Sequence, residues 1–258
     1  MMYSNSSLVQ YTKLSPNNSG LRTHSIDRIS PHCVVGQCSI EGLGNAFANP
    51  NYQASSNYGI DKDGRIGLFV PESNRSWCTS SRENDQRAVT IECASDTYHP
   101  YRMNEVVFTR LVELCADICK RNGKKKLLWF DSKSTALNYA PKSDEMVITL
   151  HRWYANKSCP GDYLYGRMGE LAKKVTAKLG GEPIPVQRIY RVQVGAFSKR
   201  ANADAQLARV KKAGFSDAYV TLGTDNLFRV QVGAYAQKSN ADSMLARIKK
   251  AGFDAFIK

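Results

Sequence analysis

A histidine and a cysteine eight residues apart offer the clearest metal-binding chemistry of the chain. His151 closes the run 146–151 (MVITLH), and Cys159 follows, with Lys157 two residues before it. The run is short, apolar and partly β-branched, which predicts a strand. Alternation along that strand predicts that His151 points away from the core. An imidazole and a thiolate are two of the ligands that zinc favours, so this stretch is a candidate metal site.

The same residues also have an ordinary structural interpretation. A histidine after an apolar run is often a satisfied hydrogen-bonding group, and a single cysteine is often a small buried hydrophobe. Two neighbours favour a functional site. The pair Pro160-Gly161 predicts a rigid turn that fixes the Cys159 sulfur. Lys157 would place positive charge where an oxyanion could form. The residues alone leave both interpretations open.

The pattern of His151, Lys157, Cys159 and the following Pro-Gly resembles the zinc-dependent N-acetylmuramoyl-L-alanine amidases. These are the type 2 amidases of phage endolysins and bacterial autolysins, related to the peptidoglycan recognition proteins. The resemblance covers roughly residues 10–180 and implies an α/β fold with a mixed β-sheet flanked by helices. It also implies a zinc ion (Zn2+) held by two His and one Cys. The reaction it implies is cleavage of the amide bond between N-acetylmuramic acid and L-alanine.

The resemblance also assigns the metal ligands of this chain. The run 29–36 (ISPHCVVG) predicts an early strand, and His32 matches the first zinc ligand of the family. His151 and Cys159 match the other two. Many relatives have a second histidine directly after the first, whereas Cys33 stands there in this chain. Strand neighbours point to opposite faces, so we do not expect Cys33 to be a co-ligand.

The resemblance assigns catalytic roles to one carboxylate and one lysine. The run 87–94 (RAVTIECA) predicts a strand in which Glu92 faces away from the apolar side chains. On the residues alone, Glu92 could equally be a solvent-facing strand carboxylate. In the resembling endolysins the Glu of this strand is the catalytic carboxylate. Lys157 matches the residue that stabilises the oxyanion.

Residues 53–81 predict a hairpin whose turn contains Asp63-Gly64, because Asp-Gly supplies the positive φ of tight turns. This stretch resembles the central hairpin of the family, which makes Tyr58 and Trp77 candidate substrate-binding residues. Many relatives have His at the positions of Asn57 and Cys78. The roles of these two residues are therefore open.

The C-terminal part contains an internal repeat. The segment that starts at Tyr190 (YRVQVGAF) returns at Phe228 (FRVQVGAY), 38 residues later. Each copy predicts a strand, a helix and a further strand. Two such units predict a small βαββαβ domain, a four-stranded antiparallel sheet with two helices on one face. We expect an amidase domain over 1–180, a stiff linker over 181–187 and this domain over 188–258.

The repeat resembles the SPOR family, whose members bind peptidoglycan glycan strands, especially those stripped of stem peptides. Strand alternation predicts that Gln193 and Phe197, and likewise Gln231 and Tyr235, face the open side of the sheet as substrate-binding residues. Two alternatives are a merely solvated face and an RRM-like RNA-binding face. The aromatic RNA-binding signatures are missing, so we expect no nucleic-acid partner.

The net charge and the cysteine content indicate which binding partners and which redox environment suit the protein. The net charge is +13, and residues 188–258 hold thirteen Lys and Arg against five Asp, which is more than half of it. A basic protein suits anionic partners such as the bacterial cell wall. Seven cysteines without a signal peptide favour reduced thiols. No apolar run is long enough for a membrane span.

The patterns together predict a two-domain peptidoglycan hydrolase that binds glycan strands through its C-terminal domain. The expected setting is a phage endolysin, present in the host cytoplasm before lysis and acting on the wall after release. A bacterial autolysin of the same chemistry is the alternative. A non-catalytic peptidoglycan-binding protein is disfavoured by Cys159, because non-catalytic relatives typically lose this residue. A structural septal protein is disfavoured by the complete set of site residues.

Overall fold

The computed structural model describes residues 3–180, 190–223, 225–235 and 237–258. The described chain divides into two compact units, Met1–Ile184 and Pro185–Lys258. The linker predicted over 181–187 lies outside the described residues. Within the described ranges, no helix combines the length and apolar character that crossing a membrane requires.

The N-terminal unit is built on a mixed sheet of seven strands, in the order β1-β5-β4-β7-β3-β9-β8. Strands β2 and β6 form a separate antiparallel pair. The strands of the unit are β1 (Tyr11–Thr12), β2 (Asn18–Leu21), β3 (Arg28–Cys33), β4 (Tyr58–Ile60), β5 (Ile66–Leu68), β6 (Asn74–Ser76), β7 (Ala88–Cys93), β8 (Lys126–Leu128) and β9 (Glu145–Ile148).

Helices flank this sheet. The longest, α3, is amphipathic, and its buried face includes Leu111, Leu114 and Ile118. The helices of the unit are α1 (Ile40–Ala48), α2 (Arg82–Arg87), α3 (Glu105–Arg121), α4 (Lys133–Asn138), α5 (Gly161–Tyr165) and α6 (Met168–Lys178). Short 3-10 turns span Pro50–Tyr52 and His151–Trp153. The predicted mixed sheet flanked by helices is therefore confirmed.

The predicted hairpin is present as the antiparallel pair β4 and β5, in which Ile60 lies opposite Ile66. Gly64 in its turn has a φ of +86°, as the Asp-Gly pattern requires. Strand β6, in contrast, leaves the large sheet and pairs with β2.

The C-terminal unit has the predicted βαββαβ order and an antiparallel sheet in the order β11-β12-β10-β13. Its core lies between the sheet and two helices and includes Val192, Val230, Ala203 and Ile248. The elements are β10 (Tyr190–Phe197), α7 (Arg200–Lys212), β11 (Ala218–Leu222), β12 (Phe228–Tyr235), α8 (Lys238–Lys250) and β13 (Phe256–Ile257).

Candidate active site

Two of the predicted site residues lie side by side on neighbouring central strands. β3 and β7 run parallel, and their register places His32 directly opposite Glu92. His32 Nδ1 lies 3.8 Å from Glu92 Oε1. The His32 side chain is fully buried, whereas that of Glu92 is 18% exposed. Glu92 is also the one residue of β7 that is not fully buried, so the sheet is accessible from outside at this residue.

The loop after β9 brings the other two predicted ligands to His32. Cys159 Sγ lies 3.2 Å from His32 Nδ1, and the centroids of the His32 and His151 rings are 5.2 Å apart. One ligand atom from each of the three residues lies within 4.8 Å of the others. A nitrogen and a sulfur on one tetrahedral zinc ion are about 3.6 Å apart, given bonds of about 2.1 and 2.3 Å. Donor types and spacing therefore fit zinc.

His151 reaches the cluster by a different route from the predicted one. β9 ends at Ile148, and His151 begins a 3-10 turn in which the Trp153 N–H donates to the Leu150 carbonyl and the Tyr154 N–H donates to the His151 carbonyl. Strand alternation therefore does not orient this side chain, and that part of the prediction is wrong. The turn, not the strand, positions the imidazole.

The two imidazoles are held neutral. Burial and the neighbouring His151 lower the pKa of His32 to about 3. Burial and the charge of Lys157 lower the pKa of His151. A neutral imidazole has a free lone pair for a metal, so neither ring must lose a proton to bind one.

The Cys159 thiol, unlike the two imidazoles, must lose a proton before it can bind a metal. A hydrogen bond with Cys33 and burial raise the pKa of Cys159 well above the ordinary value. The Cys159 thiol is therefore protonated until a cation replaces the proton. Cys33 thus touches a candidate ligand, although strand alternation predicts that it faces away from the site.

Glu92 has few partners for a buried carboxyl group. Burial raises its pKa to about 7, and a hydrogen bond from the Cys78 thiol opposes this shift. Cys78 Sγ lies 3.8 Å from Glu92 Oε1. Glu92 Oε2 is buried and has no hydrogen-bond partner among the described residues. A carboxyl group whose pKa lies near neutrality can both accept and donate a proton at physiological pH.

Sequence analysis did not identify Ser80 as part of the site. Its Oγ lies 3.0 Å from His151 Nε2, which leaves Nδ1 as the nitrogen of His151 that can face a metal. Ser80 has a φ of +60°, an unusual left-handed conformation for a residue other than glycine. A hydrogen bond to the ring nitrogen that does not bind the metal fixes the orientation of a metal-binding imidazole. Serine is common in loops, so the sequence offered no signal.

Two predicted residues lie at accessible positions. Lys157 is exposed in the loop between the two late ligands, close enough to His151 to lower its pKa. Trp77 is 36% exposed, and its indole N–H donates to Ser19 Oγ at 2.7 Å. Lys157 and Trp77 therefore remain candidates for contact with a substrate.

Tyr58 does not line the cleft, and its prediction as a substrate-binding residue is wrong. The side chain is fully buried. Its hydroxyl donates to Glu72 Oε1 at 2.6 Å and accepts the Ser6 N–H at 2.8 Å. Asn57 is fully buried as well, and it bonds to Arg22 and to the Thr90 backbone. Both residues support the fold behind the site.

The C-terminal unit separates the four residues that were predicted to share one open face. Gln193 and Gln231 lie opposite each other, each between two valines of the core, and they are 4% and 5% exposed. Phe197 and Tyr235 instead pack partly against that core. Irregular register on both sides of Gln193 interrupts the strict alternation, which explains the difference.

Two family models match the chain. The model of the N-acetylmuramoyl-L-alanine amidase family matches residues 11–162, and the SPOR domain model matches residues 186–258. None of the curated proteins compared with the chain matches it.

Several solved structures are similar. The peptidoglycan binding domain of the B. subtilis cell wall lytic enzyme CwlC is 47% identical, over 27% of this chain and 86% of its own, with a TM-score of 0.25. Staphylococcus aureus hydrolase AmiA is 12% identical, over 70% of this chain and 96% of its own, with a TM-score of 0.44. The Ph2119 endolysin from a Thermus scotoductus bacteriophage is 17% identical, over 64% and 91%, with a TM-score of 0.40.

The amidase match spans more than half of the chain, and it includes His32, Glu92, His151 and Cys159. This chain therefore belongs to the N-acetylmuramoyl-L-alanine amidase family and carries a C-terminal SPOR domain.

Proposed function

We propose that the protein is a zinc-dependent peptidoglycan hydrolase that cleaves the amide bond between N-acetylmuramic acid and L-alanine. The observation that carries this proposal is the convergence of His32, His151 and Cys159, with ligand atoms within 4.8 Å of one another. Glu92 adjoins this cluster, 3.8 Å from His32. The combination supplies three metal ligands and one carboxyl group suited to proton transfer.

The reaction divides between the metal and the side chains. Zinc held by His32, His151 and Cys159 would activate a water molecule and polarise the amide carbonyl. Glu92 accepts the proton of the attacking water and passes it to the leaving amine of L-alanine. Lys157 stabilises the negative charge that develops on the amide oxygen.

The first experiment is digestion of purified peptidoglycan, followed by measurement of new N-terminal L-alanine. The zinc-loaded protein should release it, and Cys159→Ser should lose both zinc and release. Cys38→Ser is the matched control, because Cys38 is also a half-buried free thiol but is not one of the three ligands. Full zinc occupancy and normal release in Cys159→Ser would contradict the assignment.

The C-terminal unit serves in this proposal as the wall-binding part, with Gln193 and Gln231 at its ligand site. A chain that ends at residue 187 should lose more activity on whole cells than on small soluble muropeptides. Equal losses on both substrates would show a different role. Binding of the full chain to RNA but not to stripped glycan would favour the RNA-binding alternative.

The setting that we propose is a phage endolysin that acts on the wall after release from the host cytoplasm, as the family resemblance implies. Expression in a bacterial cytoplasm should cause lysis only when a holin opens the membrane. Lysis without a holin would indicate export and favour the autolysin alternative.

A further inference from the structure

The two central strands of the C-terminal sheet contain a pair of buried acceptors without donors. Gln193 and Gln231 face each other across β10 and β12. They are 4% and 5% exposed, and neither Oε1 atom has a hydrogen-bond partner among the described residues. Buried polar atoms are normally paired. The pair therefore points to a ligand that donates hydrogen bonds at two neighbouring positions.

These two strands are related by an internal two-fold axis. Tyr190, the first residue of β10, lies opposite Tyr235, the last residue of β12. Phe197, the last residue of β10, lies opposite Phe228, the first of β12. The two strands are copies of one repeat and run antiparallel. A rotation of 180° about an axis between them therefore places each strand on the position of the other. Their burial patterns are identical, residue for residue.

The axis passes through the glutamine pair and also relates the edge strands. Tyr219 on β11 lies opposite Gln231, and Phe256 on β13 lies opposite Gln193. An aromatic residue thus stands at each end of a row whose centre is the two amides. The Phe256 side chain is 52% exposed and lies outside the core, as suits a ring that packs on a ligand.

We propose that this site binds a peptide-free glycan strand in either of two opposite chain directions. The inference rests on the proposed function of the C-terminal unit. Rotating a bound strand by 180° about the axis exchanges Gln193 with Gln231 and Tyr219 with Phe256, so the strand meets equivalent groups again. A glycan suits the row because its acetamido N–H and hydroxyl groups recur along the strand and can reach both acceptors.

Within the row of Tyr219, Gln231, Gln193 and Phe256, the symmetry is broken by a single hydroxyl group. Tyr219 corresponds to Phe256, so one edge ring carries a hydroxyl that the other lacks. One neutral hydrogen bond changes affinity by about 2- to 10-fold. The preference for one direction should therefore not exceed about 10-fold for each hydroxyl that contacts the ligand. Both directions are then populated at equilibrium.

A spin-labelled ligand tests the direction. The probe is a short peptide-free glycan of alternating N-acetylglucosamine and N-acetylmuramic acid, with a nitroxide at its reducing end. It is added to the isotopically labelled full chain, and broadening of the amide signals of Tyr219 and Phe256 is measured. We expect broadening of both signals at single-site stoichiometry. Phe256→Tyr makes the edge residues alike and should bring the two broadening effects closer to equality.

The outcomes separate this inference from the function on which it rests. Broadening of only one of the two signals would overturn binding in both directions and leave glycan binding intact. Absence of any binding would overturn both. Gln193→Ala and Gln231→Ala should each weaken binding, and their affinities should agree within about 3-fold. A loss confined to one of the two variants would contradict the equivalence of the half-sites.

Discussion

Replacing the Glu92 carboxyl group should stabilise the metal-free protein in a pH-dependent way. Burial raises the pKa of Glu92 from its ordinary value of 4.5 to about 7. Between these pH values the carboxyl group is protonated in the fold and ionised in the unfolded chain. The unfolded state then binds fewer protons, so the free energy of unfolding falls as pH rises through this window.

The size of the effect follows from the pKa difference. One pKa unit corresponds to about 1.4 kcal/mol, so a rise from 4.5 to about 7 corresponds to about 3 kcal/mol. Glutamine has no such titration. Glu92→Gln and the parent should therefore be about equally stable at pH 4. At pH 8 the variant should be more stable by about 3 kcal/mol.

The assay is urea unfolding at both pH values, with a chelator and a thiol reductant present. Tryptophan fluorescence reports the amidase unit alone, because the tryptophans are Trp77, Trp129 and Trp153. Glu83→Gln is the control, since Glu83 is exposed and surface substitutions usually change stability by less than about 0.5 kcal/mol.

The difference in unfolding free energy between Glu92→Gln and the parent should grow with pH. A constant difference would refute the reasoning, because Glu92 would then not be protonated in the fold. The same variant should lose about 10²–10⁴-fold in turnover, since an amide cannot accept the proton of water. Higher stability with lower activity is the expected behaviour of a buried catalytic carboxyl group.

Three further substitutions test single contacts. Lys157→Ala should keep zinc and lose about 10²–10³-fold in turnover, and normal turnover would remove Lys157 from catalysis. Ser80→Gly should weaken zinc binding about 10–100-fold without lowering the unfolding free energy of the metal-free protein, because glycine adopts the left-handed conformation readily. Unchanged zinc affinity in a calorimetric titration would contradict the role of Ser80. Tyr58→Phe should cost about 1–3 kcal/mol of stability with KM and kcat unchanged, whereas a raised KM would restore the substrate-binding prediction.

Much of the architecture follows from local patterns. The Asp-Gly turn predicted the β4–β5 hairpin, and the repeat predicted the βαββαβ unit, because these signals are contained in a few consecutive residues. β1 and β2, in contrast, lie within residues 1–28, a segment whose local pattern indicates no element. Each of these strands is held by a partner distant in sequence, β5 and β6 respectively, which the local pattern does not encode.

The candidate site likewise combines features that the local sequence predicts with features that only the tertiary structure determines. Residue types and the family pattern predict that His32, Glu92 and Cys159 belong to one site, and the structure places them together. The orientation of His151 by a 3-10 turn and the hydrogen bond from Ser80 depend on loop conformation. Tyr58 was misjudged because a hairpin residue can face either the cleft or the core, and only packing decides between them.

The zinc-ligand set is the central claim, and X-ray absorption at the zinc edge of the purified protein tests it most directly. We expect one zinc ion per chain, with one sulfur neighbour at about 2.3 Å and the remaining neighbours nitrogen or oxygen at about 2.0–2.1 Å. The sulfur signal should vanish in Cys159→Ser and remain in Cys78→Ser. A zinc site without sulfur, or with a second sulfur from Cys78 or Cys33, would contradict the set of His32, His151 and Cys159.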